Sequence, residues 1–343
     1  MTTWGRFERE FETIISSLRQ HEELIDKEVN AHNIVEARAM RETLKSWRVE
    51  TLQRLALEQS QQTARRMQGV GTWLRLDDSD QIVLFDSLTR VGQRHPGTVD
   101  WILKKPQLAS WIGPTPDTPF LWLQGAPGTG KSVMVARLVS FLLASKGSPV
   151  VIWHFCSDTH DASTHYDQIV KSLLLQAARG NGDLVAHIHD EYVGDRQAAI
   201  PVLEKLLEMA VDLLSGAAGH ASTGVRIFLD GLDECPAPQQ RRLLRLMERL
   251  TLTSSNCKVL VSSRDIVSAP KRRKDSILSL AEEKACLRDA IAGYARLRLS
   301  TMRDRLRDLG VSDDDVKTIS TRIGEKADGM ALPPHCIFGV CLM

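Results

Sequence analysis

The sequence predicts an α/β fold with a mostly parallel sheet, preceded by an all-helical N-terminal region and followed by a short helical part. From about residue 96 onward, short apolar runs alternate with longer segments of helical periodicity. Such alternation produces parallel sheets, because right-handed crossovers return each strand in the same direction. We therefore predict a helical region at 1–95, a domain built on the sheet at 96–281, a partial helical domain at 282–332 and an atypical tail at 333–343.

The predicted strands are apolar runs that end at polar residues. They are Phe120–Leu123, Val150–Cys156, Val225–Leu229, a run that starts at Cys257 and ends in two serines before Arg264, and Ile277–Leu280. Helices are predicted from Val133 to Leu143 and from Arg241 to Leu250. Near the end of the chain, Ser312 precedes three aspartates and is predicted to cap a helix, because a serine hydroxyl accepts an N–H bond at that position.

The connection from the first strand to its helix is a glycine-rich loop that fits G-x-x-x-x-G-K-[ST] at every fixed position. Its residues are Gly125, Ala126, Pro127, Gly128, Thr129, Gly130, Lys131 and Ser132. In this P-loop pattern, backbone N–H groups curl around a phosphate in front of a helix N-terminus. Lys131 is predicted to reach the β- and γ-phosphates, and the Ser132 hydroxyl to bind Mg²⁺. The sequence therefore predicts a P-loop that binds a nucleotide with Mg²⁺, but this loop alone does not tell an ATPase from a GTPase, a kinase or a switch.

Two later strand ends carry further candidates. Asp230 ends an apolar strand and is the candidate for the Mg²⁺ shell, because ligands of open α/β sheets bind at the carboxyl ends of strands. Asp233 and Glu234 follow in the same loop and are the candidates for polarising an attacking water. Arg264 lies at the tip of the next strand, directly after its two serines, and is the candidate sensor of the γ-phosphate. The alternative for Arg264 is a surface arginine paired with Asp265.

The composition of the chain limits the kinds of molecule that it can be expected to bind. The 343 residues carry a net charge of +1, so no global field attracts nucleic acid or an anionic membrane. The sequence contains no apolar run long enough to span a membrane, and the amino terminus lacks the apolar core of a signal peptide. We predict a cytoplasmic protein that binds a nucleotide, with no nucleic acid and no membrane as partner. Guanine-specific P-loop proteins usually present an N-K-x-D stretch, which this sequence lacks, so adenine is favoured.

The N-terminal region contains a helical pattern that would suit association between helices. The apolar positions of this seam are Phe7, Phe11, Ile14, Leu18 and Ile25. A second run from Met40 to Leu55 keeps a looser helical period, and Gly69, Gly71 and the HPG stretch at His95–Gly97 are predicted linker residues. The helices either pack on each other or on the NTPase domain, or they form an oligomerisation or signalling module that binds another copy or a protein partner.

Three motifs of the chain together resemble the NACHT class of signal-transduction NTPases, in the fungal nephrocystin-like form found in NOD-like receptors and heterokaryon-incompatibility proteins. They are GAPGTGKS, FLDGLDEC and VLVSSRD, supported by TVDWILKKPQLASWI, WHFCSD and EKADGM. The resemblance covers roughly residues 96–332. The resemblance implies that Lys131 contacts phosphate and that Ser132 binds Mg²⁺. It also implies that Asp230 is the acid at the tip of the second strand, that Asp233 and Glu234 are the acidic pair, and that Arg264 is the sensor.

The end of the chain departs from this family. Family members continue from ADGM along an apolar helix into a winged-helix region and a repeat array, whereas here the chain turns to ALPPHCIFGVCLM. Pro333 and Pro334 would end any helix there, because neither offers an N–H. We expect a truncated product or a mispredicted gene end, which bears on the regulated on/off cycle but not on nucleotide binding.

Two classes of function fit these residues. In the first, ATP or ADP decides the relative position of the helical parts, and hydrolysis is slow, as in a switch. The alternative is a P-loop phosphotransferase or remodelling ATPase with genuine turnover, for which we would expect an acceptor pocket or an arginine-rich lid, and no such segment is obvious. A truncated helical adaptor with a vestigial NTPase half is disfavoured, because every phosphate-contacting position is intact.

Overall fold

The computed structural model describes residues 11–17, 34–94, 97–113, 118–145, 147, 149–194, 197–216, 224–254, 256–264, 276–302 and 312–326. Asp265, the tail at 333–343, and Phe7, Leu18 and Ile25 of the predicted seam lie outside these residues. Contacts among the described residues define two compact units. One contains those up to Val70 and those of 181–196; the other contains those of 71–180 and those from 197 onward. The predicted domain limits and the seam stay predictions.

The described part of the chain is mainly helical around one sheet. Its helices are residues 11–17, then α1 (Ile34–Leu74), α2 (Ser79–Arg94), α3 (Pro106–Ile112), α4 (Lys131–Ala144), α5 (Tyr166–Arg179), α6 (Gly182–Tyr192), α7 (Ile200–Gly216), α8 (Ala237–Thr253), α9 (Lys284–Ser300) and α10 (Asp313–Lys326). Its strands are β1 (Phe120–Gln124), β2 (Val150–Phe155), β3 (Val225–Asp230), β4 (Cys257–Ser263) and β5 (Ile277–Ser279). Single 3₁₀ turns lie at Asp100–Lys104, Asp161–Thr164 and Leu232–Glu234. Of the described helices, none is both long and apolar enough to cross a membrane.

The strands form one sheet in which every neighbouring pair is parallel. Their order across the sheet is β2-β3-β4-β1-β5. The predicted α/β fold is therefore confirmed, and the ends of each predicted strand differ from the observed ones by at most one residue. Because β4 lies between β1 and β3, the carboxyl ends of these three strands meet at one edge of the sheet. That edge carries the phosphate loop (residues 125–132), Asp230 and Arg264.

The outer edge of β2 is covered by two glutamine side chains. The Trp153 N–H donates to Oε1 of Gln176 at 3.0 Å, and Nε2 of Gln176 donates to the Trp153 carbonyl at 2.7 Å. Gln81 of α2 bonds the Phe155 backbone in the same two-way manner, at 2.8 and 2.9 Å. Each amide thus supplies the donor and acceptor that a neighbouring strand would supply, and α2 is fastened to the sheet.

The segment before β1 packs into the core of the second unit. Trp111 of α3 is fully buried, donates its Nε1–H to the Val259 carbonyl at 3.2 Å and lies edge-on to Phe228 with ring centroids 5.4 Å apart. Ile102 and Leu108 belong to the same core cluster. A buried tryptophan with a satisfied N–H combines a large apolar contact with a fixed orientation, so this segment anchors β1 and β4 from one side.

In the first unit, α1 and α6 are joined by an ion pair between Arg66 Nη2 and Asp190 Oδ2 at 3.0 Å. The helical prediction for Met40–Leu55 is confirmed, since this run lies in α1. The linker prediction for Gly69 and Gly71 is wrong, because both lie inside α1 as well. A single glycine costs a helix only about 1 kcal/mol relative to alanine. At Gly69 a Cβ would approach the His189 ring to 3.0 Å, which accounts for the glycine there.

The helical part after the sheet consists of α9 packed against α10. A Cβ at Gly324 would lie 2.8 Å from the Arg288 carbonyl oxygen, so the two helices approach more closely than a side chain would allow. The predicted cap of α10 is confirmed. The Asp315 N–H donates to the Ser312 hydroxyl at 3.1 Å, and the Ser312 N–H donates back to the Asp315 carboxylate at 2.9 Å.

Candidate functional site

The glycines of the phosphate loop are required by local geometry. Gly128 and Gly130 have φ angles of +75° and +84°, which side chains other than glycine rarely adopt. At Gly125 a Cβ would lie 2.8 Å from Cδ1 of Leu280 and 2.9 Å from Oγ1 of Thr129. The loop therefore turns tightly and places Gly130, which has no side chain to cap a helix, directly before α4. The first N–H groups of a helix lack intrahelical partners, so α4 presents donors at this point.

Lys131 folds back over its own loop. Its ammonium donates to the carbonyl oxygens of Gly125 at 2.7 Å and Ala126 at 3.1 Å. The Thr129 hydroxyl also donates to the Ala126 carbonyl, at 2.9 Å. Burial lowers the pKa of Lys131, while the charges of Asp233, Asp230 and Glu234 act in the opposite direction. The ammonium thus lies in a partly desolvated position, where an added phosphate charge would interact strongly with it.

Asp230 is the most buried acid of the site. Its side chain is bonded by two hydroxyls, those of Ser132 and Ser262, and the residue is 2% exposed. Burial raises the pKa of Asp230, and the two hydroxyl bonds and the charge of Lys131 act against that rise. The structure therefore brings together the two residues that the sequence predicts for Mg²⁺, one at the end of β3 and one at the start of α4.

The predicted sensor and one predicted acid form a pair. The Arg264 backbone N–H donates to Oδ1 of Asp233 at 3.0 Å, and its guanidinium Nε lies 2.9 Å from Oδ2. The two contacts fix the carboxylate of Asp233 against the end of β4. The alternative partner for Arg264 in the sequence, Asp265, lies outside the described residues.

Glu234 is held differently from its neighbour. Its Oε2 accepts the backbone N–H of Asp158, just beyond β2, at 2.8 Å. Burial raises the pKa of Glu234, and the nearby charges of Asp158, Asp233 and Asp230 act in the same direction. A carboxylate with a raised pKa is a better proton acceptor than an ordinary glutamate. Among the residues that the structure describes, Asp233 forms an ion pair with Arg264, whereas the carboxylate of Glu234 accepts a backbone N–H.

These groups line one end of a cavity of about 510 Å³. The polar end is formed by residues 127–134 together with Asp230, Asp233, Glu234, Ser262 and Arg264. The other end is mostly apolar and includes Val91 of α2, Val99, Ile291 and Tyr294 of α9, and Ile323 of α10. Gly125 and Ala126 do not line the cavity. Their carbonyl oxygens accept hydrogen bonds from the Lys131 ammonium.

The residues present fit a nucleotide with Mg²⁺. The volume falls within the about 300–1,000 Å³ typical of small-molecule sites, and a polar end joined to an apolar end suits a phosphorylated ring compound. The donor set at Ser132 and Asp230 is one hydroxyl and one carboxylate, the hard oxygen ligands that Mg²⁺ takes when phosphates and waters complete its shell.

Several residues of the site escaped sequence reasoning. The sequence predicts Ser262 only as one of two serines at the end of a strand, and the residue pattern does not distinguish it from Ser263. Asp158 acts through its backbone, and Leu280 acts by filling the space beside Gly125, so neither has a side-chain signature. The apolar end of the cavity combines α2 and Val99, which precede the strands, with α9 and α10, which follow them, so no local pattern marks it.

Comparison with known proteins covers the same region. Residues 97–264 match the family model described as nephrocystin 3, N-terminal. The vegetative incompatibility protein HET-E-1 of Podospora anserina is 27% identical over 171 residues. The matched part makes up 48% of this chain and 12% of that protein, so the chain spans only a small fraction of its relative. The phosphate loop, the acids after β3 and Arg264 all lie within the range that the family model matches.

Proposed function

We propose that the chain is a signal-transduction NTPase of the NOD-like receptor type, because residues 97–264 match the nephrocystin 3, N-terminal family model and 171 residues are 27% identical to HET-E-1. It binds ATP or ADP with Mg²⁺ and acts as a slow, nucleotide-operated switch in the cytoplasm. The observation that carries this proposal is a cavity that is lined both by the glycine-rich loop and by helices that precede (α2) and follow (α9, α10) the strands in sequence. A nucleotide seated there contacts α2, α9 and α10 at once.

Binding is the first step. The N–H groups at the start of α4 and the ammonium of Lys131 hold the phosphates, and the apolar end receives the base. Ser132 and Asp230 would hold Mg²⁺, whose positive charge would offset the negative charge of the phosphates. Lys131 exchanges its bonds to the loop carbonyls for bonds to phosphate oxygens, which are stronger because both partners are charged.

Hydrolysis is the second step and is slow. Glu234 orients a water for attack on the γ-phosphate and accepts its proton, since burial raises the pKa of its carboxylate. Arg264 senses the γ-phosphate, and its pairing with Asp233 links the state of that phosphate to the loop after β3. Moving Arg264 toward the phosphate requires giving up part of an existing ion pair, which slows the reaction.

In this switch, the bound nucleotide determines the position of the helices before and after the sheet. α2 leads from the N-terminal helices, and α9 and α10 follow the sheet. In α1, Trp47, Val49 and Leu57 are 50%, 53% and 59% exposed, a set of large apolar side chains suited to a protein partner or a second copy of the chain. We expect nucleotide to alter self-association through this region, and sedimentation velocity with and without ATP tests that expectation.

The alternative, a phosphotransferase or remodelling ATPase, shares the same phosphate contacts and differs in turnover.

Calorimetric titration with ATP, ADP and GTP tests the proposed ligand. We expect tight binding of both adenine nucleotides with Mg²⁺, and displacement of bound adenine nucleotide by GTP only at higher concentration. Preferential binding of GTP would overturn the choice of base, and no binding of any nucleotide would overturn the proposed function.

A further inference from the structure

Ser262 occupies a position at the centre of the polar end. It lies near the end of β4, is 0% exposed, and lines the cavity. Its hydroxyl donates to Oδ1 of Asp230 and accepts the backbone N–H of Gly231 at 3.0 Å. A hydroxyl has one proton, so its only donor is directed at the Asp230 carboxylate.

The backbone beside this contact has little freedom. Gly231 has a φ of +69°, and a Cβ there would lie 2.7 Å from the Cys156 carbonyl oxygen. The Cys156 N–H in turn donates to the Asp230 carbonyl at 2.9 Å. The main chain at the end of β3 is therefore fixed from the β2 side, and Ser262 fixes the side chain of Asp230 from the β4 side.

The neighbouring serine shows that burial alone does not produce this contact. Ser263 is also 0% exposed, but successive residues of a strand point to opposite faces of the sheet. Its hydroxyl accepts the Trp122 Nε1–H at 2.7 Å, on β1, and it does not line the cavity. The two serines thus have the same chemistry, strand and burial, and differ in whether they reach the acid.

We propose that Ser262 is a positioning residue for Mg²⁺, which holds the Asp230 carboxylate in the orientation that also bonds the Ser132 hydroxyl. The inference rests on the proposed function, because it assigns Ser262 a role toward bound Mg²⁺. Groups that orient metal ligands typically contribute about 10–100-fold to metal affinity. Without the Ser262 hydroxyl, the buried carboxylate loses a donor and is free to rotate away from Ser132.

The test is a Mg²⁺ titration of ADP binding by Ser262→Ala, with Ser263→Ala as the matched control. For Ser262→Ala we expect the Mg²⁺ concentration at half-maximal binding to rise about tenfold, and ADP affinity in EDTA to equal that of the wild type. Ser263→Ala should keep the wild-type Mg²⁺ requirement. Ser262→Thr, which restores a hydroxyl, should recover most of the loss.

The outcomes separate this inference from the proposed function. An unchanged Mg²⁺ requirement in Ser262→Ala, or an equal rise in both alanine variants, overturns the positioning role while leaving nucleotide binding in place. A loss of ADP affinity in EDTA as well would show that Ser262 acts on the whole loop rather than on the metal, which also overturns it. A wild-type protein that binds no ADP under either condition overturns both.

Discussion

The two ends of the cavity are built by different means. At the polar end, residues from three adjacent strand tips lie together because the order β3-β4-β1 places those tips side by side, and the charged groups contact named partners, such as Arg264 with Asp233 and Lys131 with Gly125. At the apolar end, α2, α9 and α10 contribute apolar side chains such as Val91 and Ile323, which act by packing rather than by charge. The polar end can hold the phosphates and Mg²⁺ in a fixed geometry, whereas the helices of the apolar end can change position when a nucleotide binds. A switch needs both properties in one cavity.

The largest expected effect concerns chemistry at the polar end. Glu234→Gln keeps the size of the side chain but cannot accept a proton, so single-turnover hydrolysis should fall about 100-fold with ATP binding retained. Asp233→Asn, which weakens the pair with Arg264, should slow hydrolysis less. Normal hydrolysis in both variants would remove the acidic pair from the mechanism. Loss of binding in both would assign the pair a structural or Mg²⁺-holding role.

The next effect concerns phosphate binding. Lys131→Ala removes the cation that the motif places against the β- and γ-phosphates, and nucleotide affinity should fall at least about tenfold, or about 1.4 kcal/mol. The matched control is Arg137→Ala, which removes a cation from the same helix α4 where it pairs with Asp100 at 2.7 Å. Calorimetry measures both. An unchanged dissociation constant for Lys131→Ala would mean that the loop is not the site.

A smaller effect on nucleotide affinity is expected from a substitution that alters only the apolar end. Ala290 of α9 lines the cavity, and Ala290→Trp should fill the space for the base. Losing about 40 Å² of apolar contact corresponds to about 1 kcal/mol, or about fivefold in affinity. ATP should therefore bind more weakly, whereas inorganic triphosphate should bind as before. Ala285→Trp, at an exposed position of the same helix, is the control. Equal weakening of both ligands would mean that the two ends are not independent.

The smallest effect is a shift in the pH profile of hydrolysis. The pKa of Glu234 is raised by burial and by the charges of Asp158, Asp233 and Asp230. Because the ionised form is the base, activity should decline as pH falls through this raised pKa, at a higher pH than an ordinary glutamate would give. The acidic limb should be absent from the residual activity of Glu234→Gln. The same limb in both proteins would assign it to another group.

The same contrast explains what could be read from the sequence. The loop residues, Asp230 and Arg264 were predictable because phosphate and metal chemistry demand particular residue types at fixed spacing beside strand ends. Ser262 was not, since a serine that orients another side chain has no spacing rule. Ile291 and Val99 could not be predicted as residues of the site, because an apolar residue has the same sequence pattern whether it faces the core or a cavity. Gly69 was misread as a linker because its reason, the nearby His189, lies far along the chain.

The central claim is that nucleotide is held rather than rapidly consumed, and the most direct test is multiple-turnover ATP hydrolysis by the wild-type chain. Phosphate release is measured with saturating Mg²⁺, and nucleotide extracted from the purified protein is quantified beside it. The account predicts a rate of about 10⁻² s⁻¹ or slower, with adenine nucleotide retained through purification. A rate of many turnovers per second, with no nucleotide retained, would contradict the switch and favour the enzyme.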